Sequence, residues 1–174
     1  MEIDLAANGL IRKSDDDSYE IVFVRRLAKP IEKVWAALTI PERIADWFTD
    51  MRFIPDLRLG ARVEVYFPDD DPPYQMTKGE VVAFEPPRLL AWTWPEDDHP
   101  NSTVRCELAP DGDGCVLTFT QSGMGKQHLT SVAGGWHVFL DGLAGAADGV
   151  RTPGSLEREK ALRPSYEAQL AALT

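Results

Sequence analysis

The sequence predicts an α+β domain: a curved antiparallel sheet with two short helices near its start, crossed by one long C-terminal helix. Three observations lead there. A β-branched and aromatic run, Tyr19–Leu27, leads directly into two small amphipathic helices. A series of short alternating segments, joined by turn residues, then extends to Ser122. At Lys126 the apolar spacing changes from every second residue to the helical period of about 3.6.

Ile3–Lys13 reads as a first strand that turns at Asp15–Asp17 into Tyr19–Leu27. Pro30 suits the first turn of a helix, where its fixed φ fits and its missing N–H loses nothing. Ile31, Val34, Trp35 and Leu38 then share one face. Pro41 ends this helix and opens another, which groups Ile44, Trp47 and Phe48. Met51–Ile54 is a short strand, and in Ala61–Phe67 the residues Val63, Val65 and Phe67 alternate with Arg62 and Glu64. Past the loop Asp69–Tyr74 come Gln75–Phe84, Arg88–Trp94, Thr103–Leu108 and Cys115–Ser122. Their links, Glu85-Pro86-Pro87, Glu96–Pro100 and Pro110–Gly114, are too short for parallel crossovers, so neighbouring strands are antiparallel.

The long helix is expected over Gly125–Asp148, with Leu129, Val132, Trp136, Phe139, Leu140, Leu143 and Ala147 on one side. Gly134 and Gly135 weaken it locally and leave room for another backbone or a ligand. Pro153-Gly154 divides a single domain, residues 1–152, from a tail, residues 153–174. The tail reads as helical turns on either side of Pro164. Tyr166, Leu170 and Leu173 are its contacts, on the body or on a second subunit as a homodimer.

A net charge of −10 argues against nucleic acid or an anionic membrane as partner, since both require a basic face. The acidic runs Asp15–Asp17, Asp69–Asp71 and Glu96–Asp98 sit beside Pro or Gly and read as solvated turns, not as Ca²⁺ loops. The N-terminus has no basic start, and no segment approaches the ~20 apolar residues of a membrane span. With Cys106 and Cys115 expected to be reduced, the expectation is a soluble cytoplasmic protein.

Catalysis needs a positioned acid, base or nucleophile with an orienting partner. His99 falls in an acidic turn and is expected to be exposed, while His128 and His137 lie on different sides of the long helix. No H-x-E pattern or i,i+4 histidine pair suggests zinc. No nucleophile elbow or phosphate loop is present. No catalytic residue, metal or cofactor is therefore expected.

Four segments carry a family likeness: Pro30–Thr39, Pro41-Glu42-Arg43 with Trp47-Phe48, Pro86–Leu90 with Thr93-Trp94, and Gly135-Trp136 with Leu140 and Leu143. In these, and in the order of elements, the chain resembles the helix-grip fold of the START-like (Bet v, SRPBCC) superfamily. Within it, the chain is similar to the branch named after the C-terminal domain of the activator of the heat-shock-protein-90 ATPase. The resemblance implies a non-catalytic protein that binds a small apolar or aromatic ligand. The family name implies an alternative, a co-chaperone-like interaction protein with a chaperone partner. A cyclase- or hydrolase-like enzyme is a second alternative.

The ligand is expected in a cavity of a few hundred Å³ between the long helix and the sheet, a usual form of small-molecule site. Trp47, Phe48, Trp92, Trp94, Phe119, Gln121, Trp136 and His137 would line it. Gln121 is polar within an apolar row and must find a protein, water or ligand partner. His137 stands at the border of the apolar face, to be bonded to a backbone group or tipped into the cavity.

Overall fold

The computed structural model describes residues 8–15 and 17–173. Its strands are β1 (Leu10–Asp15), β2 (Ser18–Leu27), β3 (Asp50–Ile54), β4 (Arg62–Phe67), β5 (Tyr74–Glu85), β6 (Leu89–Thr93), β7 (Thr103–Asp111) and β8 (Gly114–Met124). They form one antiparallel sheet in the order β1-β2-β8-β7-β6-β5-β4-β3. The hairpin links expected from the Pro- and Gly-rich turns account for the run from β3 to β8. The pairing of β2 with β8 brings the beginning of the chain beside its late strand. The described strand β1 begins at Leu10, and residues 3–7 of the expected first strand lie outside the described residues.

Alternation sets which side chains enter the core. Phe23, Phe119, Cys106 and Leu90 lie across from one another on β2, β8, β7 and β6, and all four are fully buried. The adjacent row is Ile21, Gln121, Val104 and Trp92. Gly79 of β5 meets the end of β6 so closely that a Cβ there would lie 2.7 Å from the Thr93 carbonyl oxygen. The two cysteines do not meet. Cys106 faces Phe119 while Cys115 faces Pro110, four residues further along β7, and both thiols are free and buried.

The helices after β2 are α1 (Ile31–Thr39) and α2 (Pro41–Ile44). Pro30 occupies the α1 N-cap and Pro41 the first turn of α2, as their restricted backbones favour. The single long helix expected over Gly125–Asp148 is instead two: α3 (Leu129–Asp141) and α4 (Leu143–Ala147). It starts late because His128, its N-cap, has a left-handed backbone with φ 67°. It breaks at Gly142, whose N–H bonds Phe139 O at 3.0 Å, a bond three residues back that tightens the turn.

The tail differs from its expected form as well. Instead of separate turns about Pro164, it forms one continuous helix, α5 (Leu156–Ala171), with Pro164 on its exposed side. Ser155 caps it by accepting the Arg158 N–H at 3.1 Å. This helix lies on the body, against α3 and β1. Gly134 is what lets the two helices come together, since a Cβ there would be 3.1 Å from Glu159 O. Buried Glu159 is matched by the Arg163 guanidinium through bonds of 2.6 and 2.8 Å. Gln169 reaches β1, accepting the Ile11 N–H at 3.0 Å and donating to Gly9 O at 2.9 Å.

Two outcomes test this packing. Trp136→Ala removes the largest side chain that α3 places on the sheet and should lower unfolding free energy by about 3–5 kcal/mol in urea titration. A loss under about 1 kcal/mol would mean that α3 does not bear on the sheet through this residue. The Cys106 thiol, pushed up to about 12 by burial, should resist iodoacetamide in mildly alkaline buffer and react only on unfolding, as followed by intact mass.

Candidate functional site

A continuous cluster of aromatic rings occupies the space between α3 and the sheet. Trp136 is at its centre, with the Phe119 ring 4.5 Å below on β8 and the Phe48 ring 4.8 Å away and nearly parallel. Phe48, in the turn after α2, also stacks on Trp47 and takes Phe67 and Phe139 edge-on at 5.4 and 5.2 Å. Trp94 meets Trp136 edge-on at 6.1 Å and stacks with Tyr74. At these positions the expected cavity space is taken up by rings in mutual contact. Open space lies beside Gly135, where an added Cβ would meet nothing within 4 Å.

The polar atoms inside the cluster are chained to one another. The Trp136 indole N–H donates to Gln121 Oε1 at 2.7 Å, and Gln121 Nε2 donates to Ser102 Oγ at 3.2 Å. Gln121 thus finds its partners in the protein. Trp47 donates to Ala37 O at 2.8 Å, and Trp94 to the Tyr74 hydroxyl at 3.0 Å. The buried Trp92 indole N–H has no hydrogen-bond partner among the described residues. Burial raises the Tyr74 hydroxyl above its ordinary range, outweighing the bond from Trp94.

His137 projects from another flank of α3, toward α5. Its Nδ1 lies 2.8 Å from the Tyr166 hydroxyl, which also accepts the Gly9 N–H at 2.9 Å. The expected partner was a backbone group or a cavity; the observed one is a side chain of the tail. Asp141, one turn on, is gripped at 2.6 Å by both Arg25 of β2 and Arg158 of α5. Burial pushes the Asp141 carboxyl upward, but the two arginine bonds outweigh it and hold it below its ordinary value. Burial lowers His137; Asp141 opposes this, and Arg25 and Arg158 add to it. Burial raises Tyr166 to about 12.

Of the residues expected to share a site, the structure gathers Trp47, Phe48, Trp94, Phe119, Gln121 and Trp136. Trp92 shares their sheet face in the row of Gln121, and His137 stands apart. Three half-exposed rim residues, Phe67, Tyr74 and Phe139, were not in the expected set. Phe67 and Tyr74 close the hairpin between β4 and β5 across the loop Asp69–Tyr74, and alternation already gave Phe67 the inner face. Nothing in the sequence linked Arg25, Asp141 and Tyr166. His99, expected in solvent, is half-buried because it packs on the bare Cα of Gly125.

Elsewhere, a depression of about 130 Å³ on the outer face of the sheet is lined by Asp50, Arg52, Glu64, Tyr66 and Gln75, away from the rings. Among the described residues, no three His, Cys, Asp or Glu side chains come together as a metal-binding group. No described helix is long and apolar enough to cross a membrane.

The comparisons with known proteins follow the fold. Residues 28–148 match the family model described as Activator of Hsp90 ATPase homolog 1-like protein. The crystal structure of CalU16 from Micromonospora echinospora is similar with a TM-score of 0.70 and 25% identity, over 94% of this chain and 96% of that one. A conserved Enterococcus faecalis protein of unknown function has a TM-score of 0.75 at 16% identity, over 97% and 94% of the two chains. The Aha1 dimer from Colwellia psychrerythraea has a TM-score of 0.63 at 17% identity, over 76% of this chain and 98% of that one. The latter two likenesses speak for the fold alone. No curated protein matches this sequence. The family model spans α1 through α4, the elements that build and cover the ring cluster, and the chain belongs to the Activator of Hsp90 ATPase homolog 1-like family.

Proposed function

We propose that this protein binds a small apolar, preferably aromatic, molecule at the rim of the ring cluster, between α3 and the β4–β5 hairpin, and releases it unchanged. The observation that carries the reading is Gly135. It lies one helical turn before Phe139 on the same stripe of α3, with open space where a side chain would stand. Phe139 stacks on Phe67, Phe67 meets Tyr74, and all three rings are half-buried or exposed. A flat apolar ligand entering there would extend a stack that continues inward through Trp94, Phe48 and Trp136. Tyr74 keeps its own O–H proton for a ligand acceptor, because the hydroxyl oxygen accepts from Trp94.

A second reading, interaction with a chaperone ATPase, is favoured by the description of the family. The two readings separate by experiment. N-phenylnaphthylamine should quench tryptophan emission and gain its own fluorescence on binding the wild-type protein. Gly135→Leu should weaken that binding by about tenfold or more, since the new side chain takes the ligand's place. Gly135→Ala should raise the stability of the ligand-free helix by up to about 1 kcal/mol, because its methyl meets nothing. If the wild type gives no response to this or other apolar probes, the binding reading falls. The interaction reading then predicts that the purified protein accelerates ATP hydrolysis by an Hsp90-type chaperone.

A further inference from the structure

The polar cluster under α5 joins His137, Tyr166 and Gly9 in one short chain of hydrogen bonds. Tyr166 is fully buried, and its hydroxyl oxygen accepts the Gly9 N–H at 2.9 Å. The single hydroxyl proton is then available to His137 Nδ1, 2.8 Å away. With Nδ1 assigned as the acceptor of that buried proton, the imidazole proton is on Nε2, facing the Asp141 carboxylate at 3.9 Å. The charged groups around the ring are Asp141 on α3 itself, Arg25 from β2 and Arg158 from α5; buried Glu159 of α5 is paired with Arg163. One carboxylate therefore already serves two guanidiniums. A second proton on His137 would put a third positive charge beside them and leave the Tyr166 O–H without its acceptor.

What this contact holds lies in three parts of the chain. Tyr166 ties α5 to α3 and to the backbone at Gly9. Ahead of α5, residues 149–155 cross the body as a strap: the Thr152 N–H bonds Asp46 O at 2.8 Å. Gly154 lies so close to Phe139 that a Cβ there would be 3.0 Å from its ring. Phe139 is a rim residue of the proposed ligand site, and the strap leads directly into α5.

We propose that His137 and Tyr166 form a proton-operated latch: a second proton on His137 releases α5 from α3 and lifts the strap from Phe139, opening the aromatic rim. The gating half of this statement rests on the ligand-binding reading; the latch half does not. The direction follows from linkage. Burial and the two arginines lower His137 from its ordinary 6.5, so the released state binds more protons in the window below that value. Docking is therefore complete above about pH 6.5 and weakens as pH falls through the window.

Amide hydrogen exchange, corrected for the intrinsic pH dependence of the chemistry, tests the latch. Between about pH 7.5 and about pH 5, residues 156–171 and 9–11 of the wild type should lose protection by about tenfold or more, while β7 and β8 hold theirs. His137→Gln cannot titrate and should show no such pH dependence. An NMR titration of wild-type His137 should give a midpoint below 6.5. Unchanged wild-type protection at low pH, or a midpoint at or above the ordinary value, would overturn the latch; so would an equal loss in His137→Gln. The release rate of N-phenylnaphthylamine reads the gate separately, and should rise at low pH in the wild type alone. A probe that binds but leaves at the same rate while α5 loosens refutes gating and spares the latch. A probe that binds at no pH refutes the ligand reading, and exchange still decides the latch.

Discussion

Covering one face of the sheet is the constraint on which the rest of this structure depends, and the cover meets the sheet through the indole of Trp136. An antiparallel sheet with an apolar face must bury that face against another layer. Here α3 does so with one large side chain set between Phe119 of β8 and Phe48 of the turn after α2. The placement fixes three elements at once, because Phe48 can stack on Trp136 only if α2 closes the end of the sheet. The indole N–H would be costly in such a place without a partner, and Gln121 supplies it from the sheet itself. Gln121 is in turn tied to Ser102, at the turn before β7. A ring contact gives the cover its adhesion, and the Trp136–Gln121–Ser102 chain gives it a register.

The two adjacent glycines of α3 divide the work of that helix between its flanks. Gly134 is filled from outside by the backbone of α5, so that its missing side chain brings two helices together. Gly135, about 100° further round the helix, is left bare on the side of the aromatic rim. One helix thus presents a closed polar flank with His137 and Asp141 and an open apolar flank with Phe139. Asp141 links β2 to α5 by its two arginines, which adds charge matching to the apolar contacts of Leu162, Tyr166 and Leu170 at the joint between tail and body.

The sheet and its apolar rows were legible because alternation and turn chemistry are local properties. Val63, Val65 and Phe67, or Leu117 and Phe119, declare their face within a few residues. The division of the long helix was not legible, since Gly142 looks no different in sequence from Gly134 and Gly135, which do not break it. Its effect depends on Thr152, which packs where a side chain at Gly142 would stand. The tail gave still less, because α5 buries only Glu159 and Tyr166 and shows no apolar stripe to read. In the candidate site the inner rings followed from the pattern, while Tyr74 was hidden at the far side of a loop. His137 finds its partner 29 residues on, at Tyr166, whose hydroxyl in turn takes the N–H of Gly9, 157 residues earlier, and no spacing rule reaches so far.

The side-chain amide of Gln169 has a consequence beyond holding α5. It offers β1 one acceptor and one donor, bonding Ile11 N–H and Gly9 O as a neighbouring strand would. A glutamine thus stands in for a ninth strand, one peptide group long. Strand edges left bare are templates for adding foreign strands, and proteins blunt them with covers, charges or short length. This sheet uses all three: the amide at Gly9–Ile11, Arg12 and Lys13 just beyond it, and at the opposite margin a β3 of five residues carrying Asp50 and Arg52. The last helix therefore shields a strand edge as well as covering α3, and its removal would leave Gly9 O and the Ile11 N–H without that cover.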